Sequence, residues 1–199
     1  SFGAAVTAVP ARVLALQSPA LAWLAVLDAP ISGSLRSGIG ADGTIGQMDA
    51  RLEIGSGALS PVAGAVPVAL RGGSLHFTYD PAAARVTFSE LSFDSRALRL
   101  RATGSAQLRN LVAGLPTELL GQVSVSNLRV APEGVFETPA QFVAGAADLR
   151  LRLDPFTLDI GQIQLLDGNQ RISASGQVVA SAAGWRVALD MGIGRITHD

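Results

Sequence analysis

The chain has 199 residues, 48% of them hydrophobic and 16% charged, with a net charge of -1 and a mean hydropathy of +0.36. So sparse and balanced a charge, with its arginines scattered, leaves no electrostatic footprint for DNA or RNA. The absence of cysteine excludes disulfides, thiolate nucleophiles and Cys-ligated metals.

The length suits one large all-β domain, and Ala, Val, Leu and Gly rather than aromatics supply the apolar character. A single β-rich segment is expected, residues 1–199, with a helical N-terminal part over 1–30 and an antiparallel sheet over 31–199. The chain begins without Met and without a basic leader, which reads as a piece excised from a longer protein.

SPALAWLAVLDAP carries the strongest helix signal: Ser18 caps, Pro19 suits the first helical position and Pro30 stops it. Its apolar residues surround the axis, so it is expected to plug the end of a sheet rather than lie on a membrane with a charged face. The apolar run from Ser18 to Ala29 falls short of the roughly 20 residues that span a bilayer.

From Ile31 the period becomes two, with Asp42-Gly43 as a hairpin turn. GGSLHFTYDPAAARVTFSELSF alternates Leu75, Phe77 and Tyr79, turns at DPAAA, and resumes with Val86, Phe88, Leu91 and Phe93. RALRLRATGSAQL, QVSVSNLRV and DLRLRLD continue the alternation. FTLDIGQIQLLDGNQRISASGQVV shifts phase near Gly161 and turns at Asp167-Gly168, and GWRVALDMGI closes with Trp185, Val187, Leu189 and Met191. NLVAGLPTELL and PEGVFETPAQFVAGAA read as non-β interruptions, the second with a short helix near Thr138-Pro139. About ten strands with short turns predict one antiparallel meander with a dry face and a wet face. On pattern alone, a closed sandwich or barrel is the ordinary way to hide the dry face, and an open, ligand-filled groove is the alternative.

The chemical motifs are weak. GIGADG, residues 38–43, has G-x-G-x-x-G spacing, but a strand pattern follows it where a phosphate loop needs a helix. The two histidines, His76 in an alternating strand and His198 at the terminus, do not suggest a triad. Asp148, Asp154, Asp159, Asp167 and Asp190 fall at strand ends or opposite apolar positions, and no spacing selects a catalytic pair or a calcium loop. No enzyme, cofactor or metal site is expected.

What stands out is the apolar stripe: Leu75, Phe77, Tyr79, Val86, Phe88, Phe93, Leu98, Leu100, Val123, Val125, Leu149, Leu151, Leu153, Leu158 and Ile160. These side chains either pack as a core or line a trough. Removing apolar area from water is favourable by about 25 cal/mol per Å² in both cases.

LDAPISGSLRSGIGADGTIGQMDARLEIGSGAL, the stretch GGSLHFTYDPAAARVTFSELSFDSRALRLRATGSAQL and the ending RISASGQVVASAAGWRVALDMGIG together resemble the AsmA-like superfamily. The similarity is greatest to the central domain of YhdP-type proteins, with TamB a more distant relative, and covers nearly the whole chain from residue 19. The resemblance implies a long antiparallel sheet curled like a taco around an apolar groove. It implies a periplasmic, bridge-like lipid transfer protein of a Gram-negative envelope, held at the inner membrane by an anchor outside this chain. Its partners would be phospholipid or another lipid and the flanking segments of the same protein, and the stripe residues would form the lipid groove. The rival expectation is an assembly module of the envelope, a β-sandwich with a closed core.

Overall fold

The computed structural model describes residues 2–39, 45–131, 139–167 and 170–195. The strands in chain order are β1 (Phe2–Pro10), β2 (Leu27–Asp28), β3 (Pro30–Ile39), β4 (Ile45–Ile54), β5 (Gly57–Leu59), β6 (Val68–Asp80) and β7 (Arg85–Ser95). They continue with β8 (Leu98–Val112), β9 (Leu115–Val130), β10 (Ala140–Phe142), β11 (Ala144–Arg152), β12 (Thr157–Asp167), β13 (Gln170–Ser181) and β14 (Gly184–Arg195). A short helix α1 (Ala11–Ala15) and a 3-10 helix (Pro19–Val26) stand between β1 and β2.

All strands belong to one antiparallel sheet whose main order is β1-β3-β4-β6-β7-β8-β9-β11-β12-β13-β14, and β1 and β14 do not pair with each other. The sheet is therefore mainly β, curved and open, as the family resemblance implies and against the closed sandwich that the alternation alone favours. Tight hairpins account for the simple order: Asp80 accepts hydrogen bonds from the amides of Ala82 and Ala83 at 2.9 and 3.2 Å to hold the DPAAA turn. The Asp42-Gly43 turn and Gly168 lie outside the described residues.

Three readings need correction. Residues 2–10 are not helical: FGAAVTAVP pairs with β3, its alternation masked in the sequence by alanines. NLVAGLPTELL is not an interruption but the tip of the β8–β9 hairpin. Its turn is Ala113-Gly114, with both residues at positive φ (50° and 81°), the backbone a two-residue hairpin demands. Around Thr138-Pro139 no helix forms among the described residues, where β10 and β11 follow at once.

The plug helix is present but shorter than expected, ending at Val26 rather than Ala29. Ser18 caps it, accepting from the Ala20 amide at 3.3 Å. It winds as a 3-10 helix, whose rise of about 2.0 Å per residue stretches the segment farther than the 1.5 Å of an α-helix. The strap of residues 11–26 that contains it is tied at its start by the Ala11 amide donating to the Ala29 carbonyl at 3.0 Å and at its end by the Ser60 amide donating to the Val26 carbonyl at 2.8 Å. Leu14, Leu21, Leu24 and Val26 are buried, each such burial being worth about 1.5–3 kcal/mol. The helical strap and the inner residues of β3 to β9 form one core that also takes in Phe156 and Ala180.

Curvature brings distant parts of the sheet together. The Trp185 indole N–H donates to the Val66 carbonyl at 2.7 Å, and the same ring meets Phe156 edge-on at 5.8 Å. The last hairpin thus reaches the loop before β6, diagonally across the sheet, which is what an accumulated right-handed twist produces.

Candidate functional site

Register, rather than any loop, builds the apolar stripe. One ladder runs Leu52, Leu75, Leu91, Ala102, Val125, Gly145, Leu165, Ile172 and Ile193 through consecutive cross-strand pairs. A second runs Tyr79, Val86, Ala106, Gly121, Leu149, Ile160, Gly176 and Leu189. Such ladders keep one face apolar only if register slips are compensated, since a one-residue slip turns every side chain over. The irregularities between Phe88 and Leu91 and between Ile160 and Ile163 do this, each adding a residue where the sequence changes phase.

The fifteen sequence-predicted residues meet three different surroundings. Leu75, Phe77, Tyr79 and Val86 are buried beneath the helical strap, with Phe77 edge-on to Phe88 at 6.3 Å. Phe93 and Leu153 pack, half-buried, against the same core. Leu98, Leu100 and Val125 belong to a second cluster with Leu128, Phe142 and Leu165. Between these lies a pocket of about 190 Å³ walled by Trp23, Leu75, Phe88, Leu91, Ser105, Ala106, Leu119, Gly121, Val123, Leu149, Leu151 and Leu158. Ile160 stands beside it, half-buried and opposite Leu149.

The pocket owes its volume to small residues. Ala106 and Gly121 are cross-strand partners on its floor, between the rungs Gly104–Val123 and Leu108–Leu119. Opposite them stands Trp23, whose indole nitrogen is buried and has no hydrogen-bond partner. No charged side chain lines the pocket.

Sequence reasoning missed Trp23, Ala106, Leu119 and Gly121 as pocket residues, placed Leu91 in the alternation but not in the stripe, and did not place the last strand in the stripe. Val187, Leu189, Met191 and Ile193 carry the same face to the sheet edge, where they are 59%, 45%, 72% and 75% exposed. Their alternation in GWRVALDMGI was the available signal. Ala106 and Gly121 gave none, because a small residue in a strand marks a gap only when its neighbours across the sheet are known.

Ionised groups occupy the opposite face. Arg152 meets Asp159 at 2.7 Å, Arg99 meets Asp94 at 2.9 Å and Arg150 meets Glu118 at 3.4 Å. Hydrogen bonding from Gln177, and then from Arg152, holds the Asp159 carboxyl below its ordinary range despite partial burial. His76 lies on that face too, 3.3 Å from Asp49, while the nearby Ser74 hydroxyl bonds Glu90 and Ser92. Among the described residues no group of His, Cys, Asp and Glu is placed to hold a metal ion, and no helix is long and apolar enough to cross a membrane. Comparisons with protein-family models, with curated proteins and with solved structures found no match to this chain.

Proposed function

We propose that this chain is a non-enzymatic segment of a periplasmic, bridge-like lipid transfer protein of the AsmA-like kind, which shields phospholipid acyl chains in its apolar trough between inner and outer membranes. The observation that carries the reading is the unbroken apolar face of an open sheet, running from a pocket without charged side chains to the exposed side chains of β14. Each acyl methylene moved from water onto that face gains about 0.8 kcal/mol, and no head-group-specific contact is needed. Flanking segments of the same protein would cover the two free sheet edges, which otherwise invite pairing with other strands. An anchor outside this chain would hold the protein at the inner membrane.

Transfer of a fluorescent phospholipid between donor and acceptor vesicles tests this. The chain is expected to accelerate transfer, and Leu189→Glu, at an exposed position on the trough face, is expected to fold normally and lose more than about tenfold of that acceleration, because an acyl chain would desolvate the carboxylate. Transfer no faster than from vesicles alone, or undiminished in the variant, contradicts the reading.

A second reading, an assembly module of the envelope, draws on the dry core beneath the helical strap, where Phe77 is 0% exposed. It expects a sharp, lipid-independent unfolding transition and no bound lipid.

A further inference from the structure

The trough face is filled at one end and bare at the other. Residues 11–26 share one core with the inner residues of β3 to β9 and with Phe156, Ala180 and Trp185, while farther along β14 Val187, Leu189, Met191 and Ile193 are exposed. Trp23 stands at the boundary, belonging to the strap on one side and walling the 190 Å³ pocket on the other.

We infer that the helical strap is a fixed stopper that gives the trough a blind end, so that acyl chains lie between Trp23 and the β14 edge with their methyl ends against the Trp23 indole. The inference rests on the lipid-trough reading and adds to it a boundary and a chain direction.

Three observations carry it. The strap has no charged residue between Arg12 and Asp28 and is tied at both ends by backbone hydrogen bonds, so it closes the trough as a fixture rather than as a swinging lid. Its 3-10 helix runs over eight residues, longer than the usual three or four, and so stretches across the face it covers. The direction follows from solvation. A phosphate head group cannot shed its water into a pocket with no charged partner, whereas at the β14 edge it stays wet. The hydrocarbon end is then the end that meets Trp23. The Trp23 indole has no hydrogen-bond partner, so packing alone positions the ring, and phenylalanine keeps most of that packing.

The chain has two tryptophans, Trp23 and Trp185. The emission of the wild-type chain minus that of Trp23→Phe isolates Trp23. The complementary variant Trp185→Phe leaves Trp23 as the sole tryptophan, excited to the red of Tyr79, and serves if the first does not fold. Each protein is mixed with phospholipid brominated either near the acyl methyl end or near the glycerol, since bromine quenches only on close approach. Methyl-end bromines are expected to quench the Trp23 emission several-fold more than glycerol-end bromines. Equal quenching, or stronger quenching by the glycerol-end lipid, overturns the stopper. So does an absence of quenching while bound phospholipid is recovered by extraction, and then the trough reading survives. No quenching and no recovered phospholipid overturns both.

Discussion

Tyr79 is the chain's single tyrosine, and it lies buried opposite Val86 on the trough face. Burial first, and the neighbouring Asp80 carboxylate second, raise its pKa above the usual 10.0. A group whose folded pKa is raised contributes stability in full below its unfolded pKa and loses it as pH rises through the folded one. The chain contains neither lysine nor cysteine, and arginine stays charged throughout, so no other side chain titrates near pH 10. Stability measured by urea unfolding is therefore expected to fall as pH rises above about 10 in the wild type and to stay level in Tyr79→Phe. An equal fall in both would remove Tyr79 from the account. The sequence placed Tyr79, Phe77 and Leu75 on one face correctly, because period two decides the face. It could not show that a helical strap covers them, since no local pattern encodes what lies across a sheet from a residue.

Strands and their irregularities determine the shape of the trough. Gly176 faces Ile160 at the β12–β13 irregularity with φ at 153°, and a Cβ there would stand 2.1 Å from the Ala188 carbonyl oxygen. Gly104, opposite Phe88 at the β7–β8 irregularity, is held similarly tightly by the Gln122 carbonyl. Such positions let neighbouring backbones approach closely and bend the sheet. Gly176→Ala is expected to cost about 1–3 kcal/mol in chemical denaturation. Gly3→Ala, whose new Cβ meets nothing nearer than 3.7 Å on edge strand β1, is expected to be neutral. Equal costs would mean that the bulge is not a constraint. The phase change near Gly161 was legible because apolar residues shift from even to odd positions there. The β8–β9 turn was not, because Ala113-Gly114 is a less distinctive turn signal than Asn-Gly or Asp-Gly. β1 was hidden for a similar reason: alanine on both faces erases the alternation.

Over the whole molecule, composition and alternation established an antiparallel β chain, but on pattern alone they favoured a closed sheet over the open one for the same stripe. That choice depends on whether the first and last strands meet, which is decided by twist, bulges and the bulk of the strap accumulated over the sheet. In the folded chain β1 and β14 stay apart, and the apolar face runs from under the strap to a bare edge. The central claim is that this face holds lipid. It is tested most directly by purifying the chain from a bacterial host without detergent, extracting it with solvent and quantifying bound phospholipid by mass spectrometry. The control is Val123→Glu, whose half-buried site on the pocket wall lets circular dichroism check that the variant still folds. Roughly stoichiometric phospholipid, lost in the folded variant because a carboxylate on an apolar wall repels acyl chain, is the expected result. A well-folded wild-type chain that carries no phospholipid, or a variant that carries as much as the wild type, would contradict it.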